Sequence, residues 1–539
     1  MKKFVLTMAS LVMLASLAFA QVAPTQPKDG TNMVFEGLED DQWTNSNNWT
    51  FDGAPAGRVP QSSDNVTIAG NCVADYGEAA SVTITPGFTL TIPYGASFDE
   101  AIPITVKDGA QFIAPEGSQY GGTIEKEIRG YGNNPNPGNY YFISVPLKDF
   151  NLANGFEAFG MLNGDHDLYF FTQNPAMAGE IDYDDDETWG QGEWQNYKWY
   201  TNTDSGFNGA EDFKDGFQLN YAYLYANKQT TTLSFNGTFK SGSVTYRGLR
   251  DGDSDWPGYQ LVGNPLPCNA SITYGTRVCG FYMINESTGR RNVISVDEPI
   301  IAPATALFVV CASGNPASQR DFTFQPSTEE ANVRSAKSLI TIEVLSDNGA
   351  LEDRAYVRGY ECDDLSKFSL SNEGTKIFIP QDGKKYAAVQ AGDAKTMPLC
   401  FTSTEGGIHT LTVKAENMDC NYLHLVDNAT GADIDLLRTP KYTFNAKDCL
   451  YATRFKLVFA EEATNEIADN FAFISNGELI INNSGNATLQ VMDMTGRQIL
   501  TKELSNGDCQ LSTANLPAGV YVVRLSNGND VKTQKIVVR

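Results

Sequence analysis

Val82-Thr83-Ile84, followed by Gly87 and Leu90, returns 22 residues later as Ile104-Thr105-Val106, followed by Gly109 and Phe112. A partial earlier copy, Val66-Thr67-Ile68, stands before Gly70. In each copy two apolar β-branched residues flank a threonine, the alternation of a strand with one buried face. The glycine that follows supplies a turn. Strand–turn–strand units repeating at this spacing stack as rungs, because a single rung cannot bury its own apolar face. The spacing predicts a short β-solenoid-like segment over about residues 40–135. A hairpin-built sandwich is the other arrangement these residues allow.

Outward from that segment the chain stays β-like. Residues 138–325 are rich in Tyr, Trp and Phe, with short apolar runs at 140–145, 221–225, 260–262 and 306–310 between Gly, Asn and Pro clusters. That punctuation predicts an antiparallel sandwich. A polar stretch near 325–338 precedes a third region, 339–460. There Leu339-Ile340-Thr341-Ile342-Glu343-Val344 and Leu411-Thr412-Val413 alternate as half-buried strands do. The acidic stretch 460–470 separates a last module, 471–539. The expected class is all-β and multidomain: a solenoid-like segment, two β-sandwich domains and a small C-terminal Ig-like β-sandwich.

Composition agrees and excludes some functions. The chain has 539 residues, 65 acidic against 39 basic, and a net charge of −26. Such an excess repels phosphate backbones, so no nucleic-acid partner is expected. Lys2 and Lys3, the apolar run 4–17 and Ala18-Phe19-Ala20 have the layout of a secretory signal peptide over residues 1–20. Nothing beyond it is apolar enough to span a bilayer. An exported chain that is not a transmembrane protein is expected. The nine cysteines contain no C-x-x-C pair, which leaves zinc-ribbon and thioredoxin-type chemistry without support.

The last module carries the most information. Leu489, Val491 and Asp493 alternate up to Thr495-Gly496-Arg497. Leu516-Pro517-Ala518-Gly519 then turns into Val520–Leu525, and Lys535-Ile536-Val537-Val538-Arg539 closes the chain. Gly496 and Gly519 are expected to supply the φ freedom of their turns. In order, spacing and chain end, "VMDMTGRQIL", "LPAGVYVVRL" and "KIVVR" resemble the type A C-terminal sorting domain of type IX secretion substrates in Bacteroidetes. The resemblance covers only this module. It implies Sec export, passage through an outer-membrane translocon and removal of the module by a sortase-like protease. The cargo would then be released or attached at the outer face of the outer membrane. Gly496, Gly519, Tyr521 and Lys535 are the sorting-signal residues it implies. Upstream, "LVGNPLPCNA", "NSNNWTFDGAPAGRVPQSSDNVTI" and "LHLVDNATGADIDLL" resemble stretches of Bacteroidetes adhesin-type surface proteins, with no catalytic role attached.

Chemistry-bearing motifs are scarce. There is no H-E-x-x-H, G-x-S-x-G, Walker A or G-x-G-x-x-G, so nucleophile–His and zinc-hydrolase routes lack sequence support. His409 shares parity with Leu411 and Val413, and His424 lies between Leu423 and Leu425; both are expected on sheet faces. His166, in Asp165-His166-Asp167, is expected in a polar turn. Asp182, Asp184 and Asp186 hold positions 1, 3 and 5 of a calcium-type loop, with Glu193 at position 12. Alternate carboxylates can converge on one Ca²⁺, although Glu187 stands where such loops use glycine. The alternative is a solvated acidic loop. Trp189, Trp194 and Trp199, with Tyr197 and Tyr200, could stack on sugars or fill a core.

The leading functional expectation is a secreted or surface-attached, non-enzymatic protein of adhesive or structural use, meeting glycans or host and extracellular proteins. A glycan-binding module protein is the first alternative. A secreted glycan-active hydrolase using paired carboxylates is the second.

Overall fold

The computed structural model describes residues 28, 30–132, 139–148, 166–171, 194–196, 222–247, 249 and 256–538, apart from short stretches in the last span, chiefly 286–292, 329–336, 447–453 and 461–470. Among the described residues the regular elements are β-strands and short 3₁₀ turns, in several sheets. The chain is all-β and built of several β units, with a solenoid first and a small sandwich last.

The 22-residue echo is the rung register. Asn32–Phe35, Asn65–Ile68, Ser81–Ile84, Ile104–Val106 and Gly121–Ile128 lie parallel in one sheet. Val82 faces Ile104, Ile84 faces Val106, and the partial copy Val66-Thr67-Ile68 is a further rung facing Val82-Thr83-Ile84. Cys72–Val73, Thr89–Thr91 and Gln111–Ile113 make a second parallel face, in which Leu90 meets Phe112. Tyr76–Gly77 and Ser97–Phe98 make a third. Period-two alternation sends Phe35, Ile68, Ile84, Val106 and Ile124 inward as one fully buried column, with strands about 4.8 Å apart. Gly122, at φ +147°, sits where a Cβ would come within 2.0 Å of the Ile104 carbonyl oxygen, so the last rung closes only with glycine there.

A parallel stack leaves two raw edges, each a template for unwanted pairing. The first rung is covered by Trp49–Phe51 and Ala54–Pro55, which pair antiparallel. Thr231–Thr238 covers the last by pairing antiparallel with Gly121–Ile128 over eight positions. An aromatic column runs beneath: Trp43 on Trp49 (4.8 Å between ring centroids) and on Phe98 (5.2 Å), then Tyr120 on Phe112 (5.4 Å) and Phe112 on Phe239 (5.7 Å).

In the second region one sheet orders Tyr140–Ser144, Ala222–Asn227, His166–Phe171 and Trp194–Asn196. Another orders Tyr259–Gly263, Ala306–Cys311, Val278–Ile284 and Val293–Val296. A third joins Val244–Tyr246, Phe322–Pro326 and Ala270–Tyr274. Every residue of Tyr140–Ser144 is buried, without alternation, because the strand is covered on both faces. Tyr141 and Ile143 join the solenoid core, while Tyr140 and Phe142 join the core of the second region.

The "LVGNPLPCNA" stretch is the joint between these units. Fully buried Asn264 donates to the carbonyls of Cys268, Ile301 and Ala302, at 2.9, 2.8 and 3.1 Å, and accepts from Leu266 N. The Ser144 hydroxyl bonds the Asn264 carbonyl (3.0 Å). Beside it, the Pro267 carbonyl accepts from Phe112 N (2.9 Å), and Asn269 N donates to the Gln111 side chain (3.0 Å), docking the loop on the solenoid.

From Leu339 to Val458 a long sheet carries the third core. The second region's core continues onto its strands through Leu339, Tyr356, Leu365, Phe368, Ala387 and Ala388. Arg358 reaches across to the Cys279 carbonyl (2.7 Å). Inside the third core Arg454 meets Asp427 through two bonds of 3.0 and 2.9 Å, both side chains essentially fully buried.

Candidate functional site

The C-terminal module is two antiparallel sheets face to face. One orders Ala472–Ser475, Glu478–Ile481 and Cys509–Ser512. The other orders Gln498–Leu504, Ala487–Asp493, Gly519–Ser526 and Val531–Val538. Alternation sends Leu489, Val491, Val523, Ile536 and Val538 into a core shared with Leu479 and Ile481 of the opposing sheet. The last strand pairs with Gly519–Ser526 over eight positions, so the end of the chain is a structural strand. Gln534 clamps the two sheets together: its side-chain oxygen accepts from Ala472 N (2.9 Å) and its amide donates to the Ala472 carbonyl (2.6 Å).

The turns are held by side chains. Asp493 accepts from the Thr495 hydroxyl (2.6 Å), from Thr495 N and Arg497 N, and from Arg497 Nε (3.0 Å each). These donors, the Thr495 hydroxyl foremost, hold its carboxyl down at about 2. Gly496 closes this hairpin at φ +81°, a conformation L side chains rarely adopt. Buried Tyr521 donates its hydroxyl to the Pro517 carbonyl (2.7 Å), latching the Leu516–Gly519 turn onto its strand. Gly519 departs from expectation. Its φ is not positive, and an added Cβ would meet only Pro517 O and Tyr521 Cε2 at 3.8 Å, an ordinary contact. Lys535 is exposed on the outer face, opposite Val522. Of the four expected signal residues, Gly496 and Tyr521 shape turns and Lys535 alone presents its side chain outward. Asp493 was visible in sequence as the start of a D-x-T-G turn. The Gln534 clamp carries no local signal, since its partner lies 62 residues away.

The family of secretion-system C-terminal sorting domains matches residues 475–539. Residues 475–539 are such a sorting domain. The chain is therefore a type IX secretion substrate, and its sorting domain engages that machinery. No curated protein sequence matches the chain. Among solved structures, a biofilm-associated protein BSP domain is similar at 10% identity, covering 79% of this chain and 99% of that one, with a TM-score of 0.17. A β-glucuronidase from Ruminococcus gnavus in complex with D-glucaro-δ-lactam is similar at 9% identity over 71% of this chain and 48% of that one, with a TM-score of 0.11. Scores that low establish no common arrangement, so neither bears on the fold or function of the body upstream of the sorting domain.

The other expected sites are dispersed. Asp182, Asp184, Asp186 and Glu193 lie outside the described residues, as do Trp189, Tyr197, Trp199 and Tyr200. Trp194 opens the strand Trp194–Asn196. His166 begins the strand His166–Phe171, so the expected polar turn is a sheet pairing with Ala222–Asn227. His409 and His424 sit on sheet strands as expected, His409 on the buried face with Leu411 and Val413 and His424 half-buried, with Nδ1 against Glu352 (2.7 Å) and Asp433 (2.8 Å). Burial pushes the Cys268 and Cys279 thiols up to about 12, which makes them poor nucleophiles. Among the described residues no group of three or more His, Cys, Asp or Glu side chains is placed to hold a metal ion. No described helix is long and apolar enough to cross a membrane.

Proposed function

We propose that residues 1–20 direct the chain through the inner membrane of a Bacteroidetes cell, and that the sorting domain then takes it through the outer-membrane translocon. A sortase-like protease removes the domain within 460–470. The body then acts at the outer face of the outer membrane as a non-enzymatic adhesive or structural protein. The observation that carries this reading is the separation of cores. The sorting domain buries its own apolar cluster, and it touches the third region through Ile480, packed on that core, and through its first strand, Ala472–Ser475, which lies against Ala432–Asp435 and Lys441–Asn445. A module with so little shared core can be cut away without unfolding its cargo. Upstream, by contrast, cores run into one another from solenoid to third region, a build suited to a scaffold.

Deleting Lys535 to Arg539 tests it. The deletion removes buried Ile536 and Val538 and unpairs Gly519–Val522. That costs the module about 1.5–3 kcal/mol per buried side chain and leaves backbone donors without partners. The expected result is a folded body held in the periplasm, with the full-length chain at the surface lacking its last module. Normal surface delivery of the truncated chain overturns the reading.

Asp182, Asp184, Asp186 and Glu193 are retained as a proposed Ca²⁺ site. Millimolar Ca²⁺ is then expected to raise the melting temperature of the full chain, because a ligand bound only to the folded state stabilises it. Asp184→Asn removes the response. An unchanged wild-type melting curve eliminates the site.

A further inference from the structure

The sorting domain has an outer face that its own core does not use. On the four-stranded sheet Val520 lies directly across from Val537, and both are exposed, at 40% and 54%. Met494, 58% exposed, stands in the turn that follows Asp493, the partner of Tyr521, at the end of a third strand. One step along the same face, Met492 opposes Val522 and Val522 opposes Lys535. One step further, Gln490 opposes Arg524, with their side chains bonded at 3.2 Å. The result is an apolar patch of Met492, Val520, Val522 and Val537, with Met494 in the adjoining turn, bordered by Lys535 and Arg524. Of the carboxylates on this side, Asp493 is folded into its own turn and bonded to Arg497, and Glu503 lies further along the face, beyond Gln490, bonded to Thr488.

Concentration is the second observation. Among the described residues, the exposed large apolar side chains upstream, Leu38, Tyr76, Tyr94, Ile408 and Leu437, are scattered over four hundred positions. Met494, Ile499, Val520, Val531 and Val537 fall within one module of about seventy residues. The module also carries six basic and five acidic residues, against 39 and 65 in the whole chain. Apolar patches bordered by one sign of charge mark contact surfaces.

We propose that this face is where the export machinery reads the domain, and that the partner is a protein surface with an apolar centre bordered by carboxylates. The inference rests on the sorting reading above and adds the face and the chemistry of the partner. Lys535 is the contact residue, while Gly496 and Tyr521 act by holding the strands that present it. Opposite charge at the border steers the encounter and fixes register, and the valine row supplies desolvated area.

Full-length variants test it by fractionation of surface and periplasm. Val520→Thr with Val537→Thr keeps β-branched shape at exposed positions while removing apolar area. It is expected to lower the surface fraction about tenfold, equivalent to ~1.4 kcal/mol of lost affinity, without changing the melting temperature of the purified protein. At Lys535 the expected order of delivery is Lys and Arg equal, Ala lower and Glu lowest, because a carboxylate would face carboxylates. Glu478→Lys, an exposed change on the opposing sheet, is expected to be delivered normally. If the double threonine variant is delivered normally while the Lys535–Arg539 deletion is not, this face is not the one read, and the sorting assignment stands. Equal delivery of Lys535→Ala and Lys535→Glu overturns the acidic border. A dimer by light scattering that the threonine pair dissolves means that a second copy of the chain covers the face, and also overturns it.

Discussion

Asp427→Ala is expected to destabilise the 339–460 sheet by about 3–5 kcal/mol, the cost of leaving one member of a buried ion pair without the other. Asp427 accepts from Nε and Nη2 of Arg454, from the Tyr442 hydroxyl (2.9 Å) and from Ala429 N (2.9 Å). Arg454 also donates to the Asn445 carbonyl (2.8 Å) and lies over Phe444, with its guanidinium carbon 4.6 Å from the ring centroid. Without the carboxylate, that charge is held among aromatic rings where water cannot replace the lost partner. The Tyr442 hydroxyl, which burial drives well above its ordinary range, loses an acceptor as well. Replacing both partners by apolar side chains, Asp427→Leu with Arg454→Met, should recover most of the loss, since the pair's own desolvation cost disappears with it. Urea unfolding followed in this region, with the double-mutant cycle completed, measures both quantities. A single-variant loss below about 1 kcal/mol would show that water reaches the pair.

Asn264→Leu is the second large effect. The side chains are similar in size, yet the change leaves the carbonyls of Cys268 and Ala302 and the N–H of Leu266 without the partner that satisfies them, while the Ile301 carbonyl keeps only its bond from Ala270 N. Each buried unsatisfied group costs about 1–3 kcal/mol, so the loss should reach at least about 2 kcal/mol even if one carbonyl finds water. Its signature is spatial. The loop carries the Pro267 and Asn269 contacts to the solenoid, so amide exchange should accelerate at Phe112 and Asn269 before it does in the third region. Asn264→Asp keeps one acceptor but no donor, and should fall close to the leucine variant. Uniform acceleration along the whole chain would place the effect elsewhere than at this joint.

Periodicity made part of this architecture legible and hid the rest. The Val82/Ile104 and Leu90/Phe112 echo was readable because stacked parallel rungs repeat one environment at one sequence interval, so the chain writes its register directly. Strand pairing in the last module was readable for a related reason, since neighbouring strands follow one another through marked turns. Gly519 misled, because a glycine after proline and alanine looks like a positive-φ turn while the backbone there is ordinary. The role of Asn264 had no signal, since one asparagine in a Gly/Pro-rich stretch reads as a turn residue until carbonyls 37 and 38 residues away are placed around it. The Arg454–Asp427 pair was hidden in the same way, as two charged residues 27 positions apart. The pairing of Gly121–Ile128 with Thr231–Thr238 was beyond reach, because the alternation in each strand is satisfied equally by many partners.

That last pairing sets a clock. The strand that closes the final rung arrives about a hundred residues after it: Gly130 N bonds the Thr230 hydroxyl across a separation of 100. At synthesis rates of about 5–20 residues per second the rung waits roughly 5–20 s for its cover. Closing so long a loop is also the slow, entropically costly class of folding step. The cover of the first rung, Trp49–Phe51 and Ala54–Pro55, emerges within the same stretch as that rung, so assembly is ordered from the amino-terminal end. The vulnerable species is a half-built stack with one raw edge. In transit, a holdase that masks that edge until residue 238 has emerged would determine yield more than any gain in final stability.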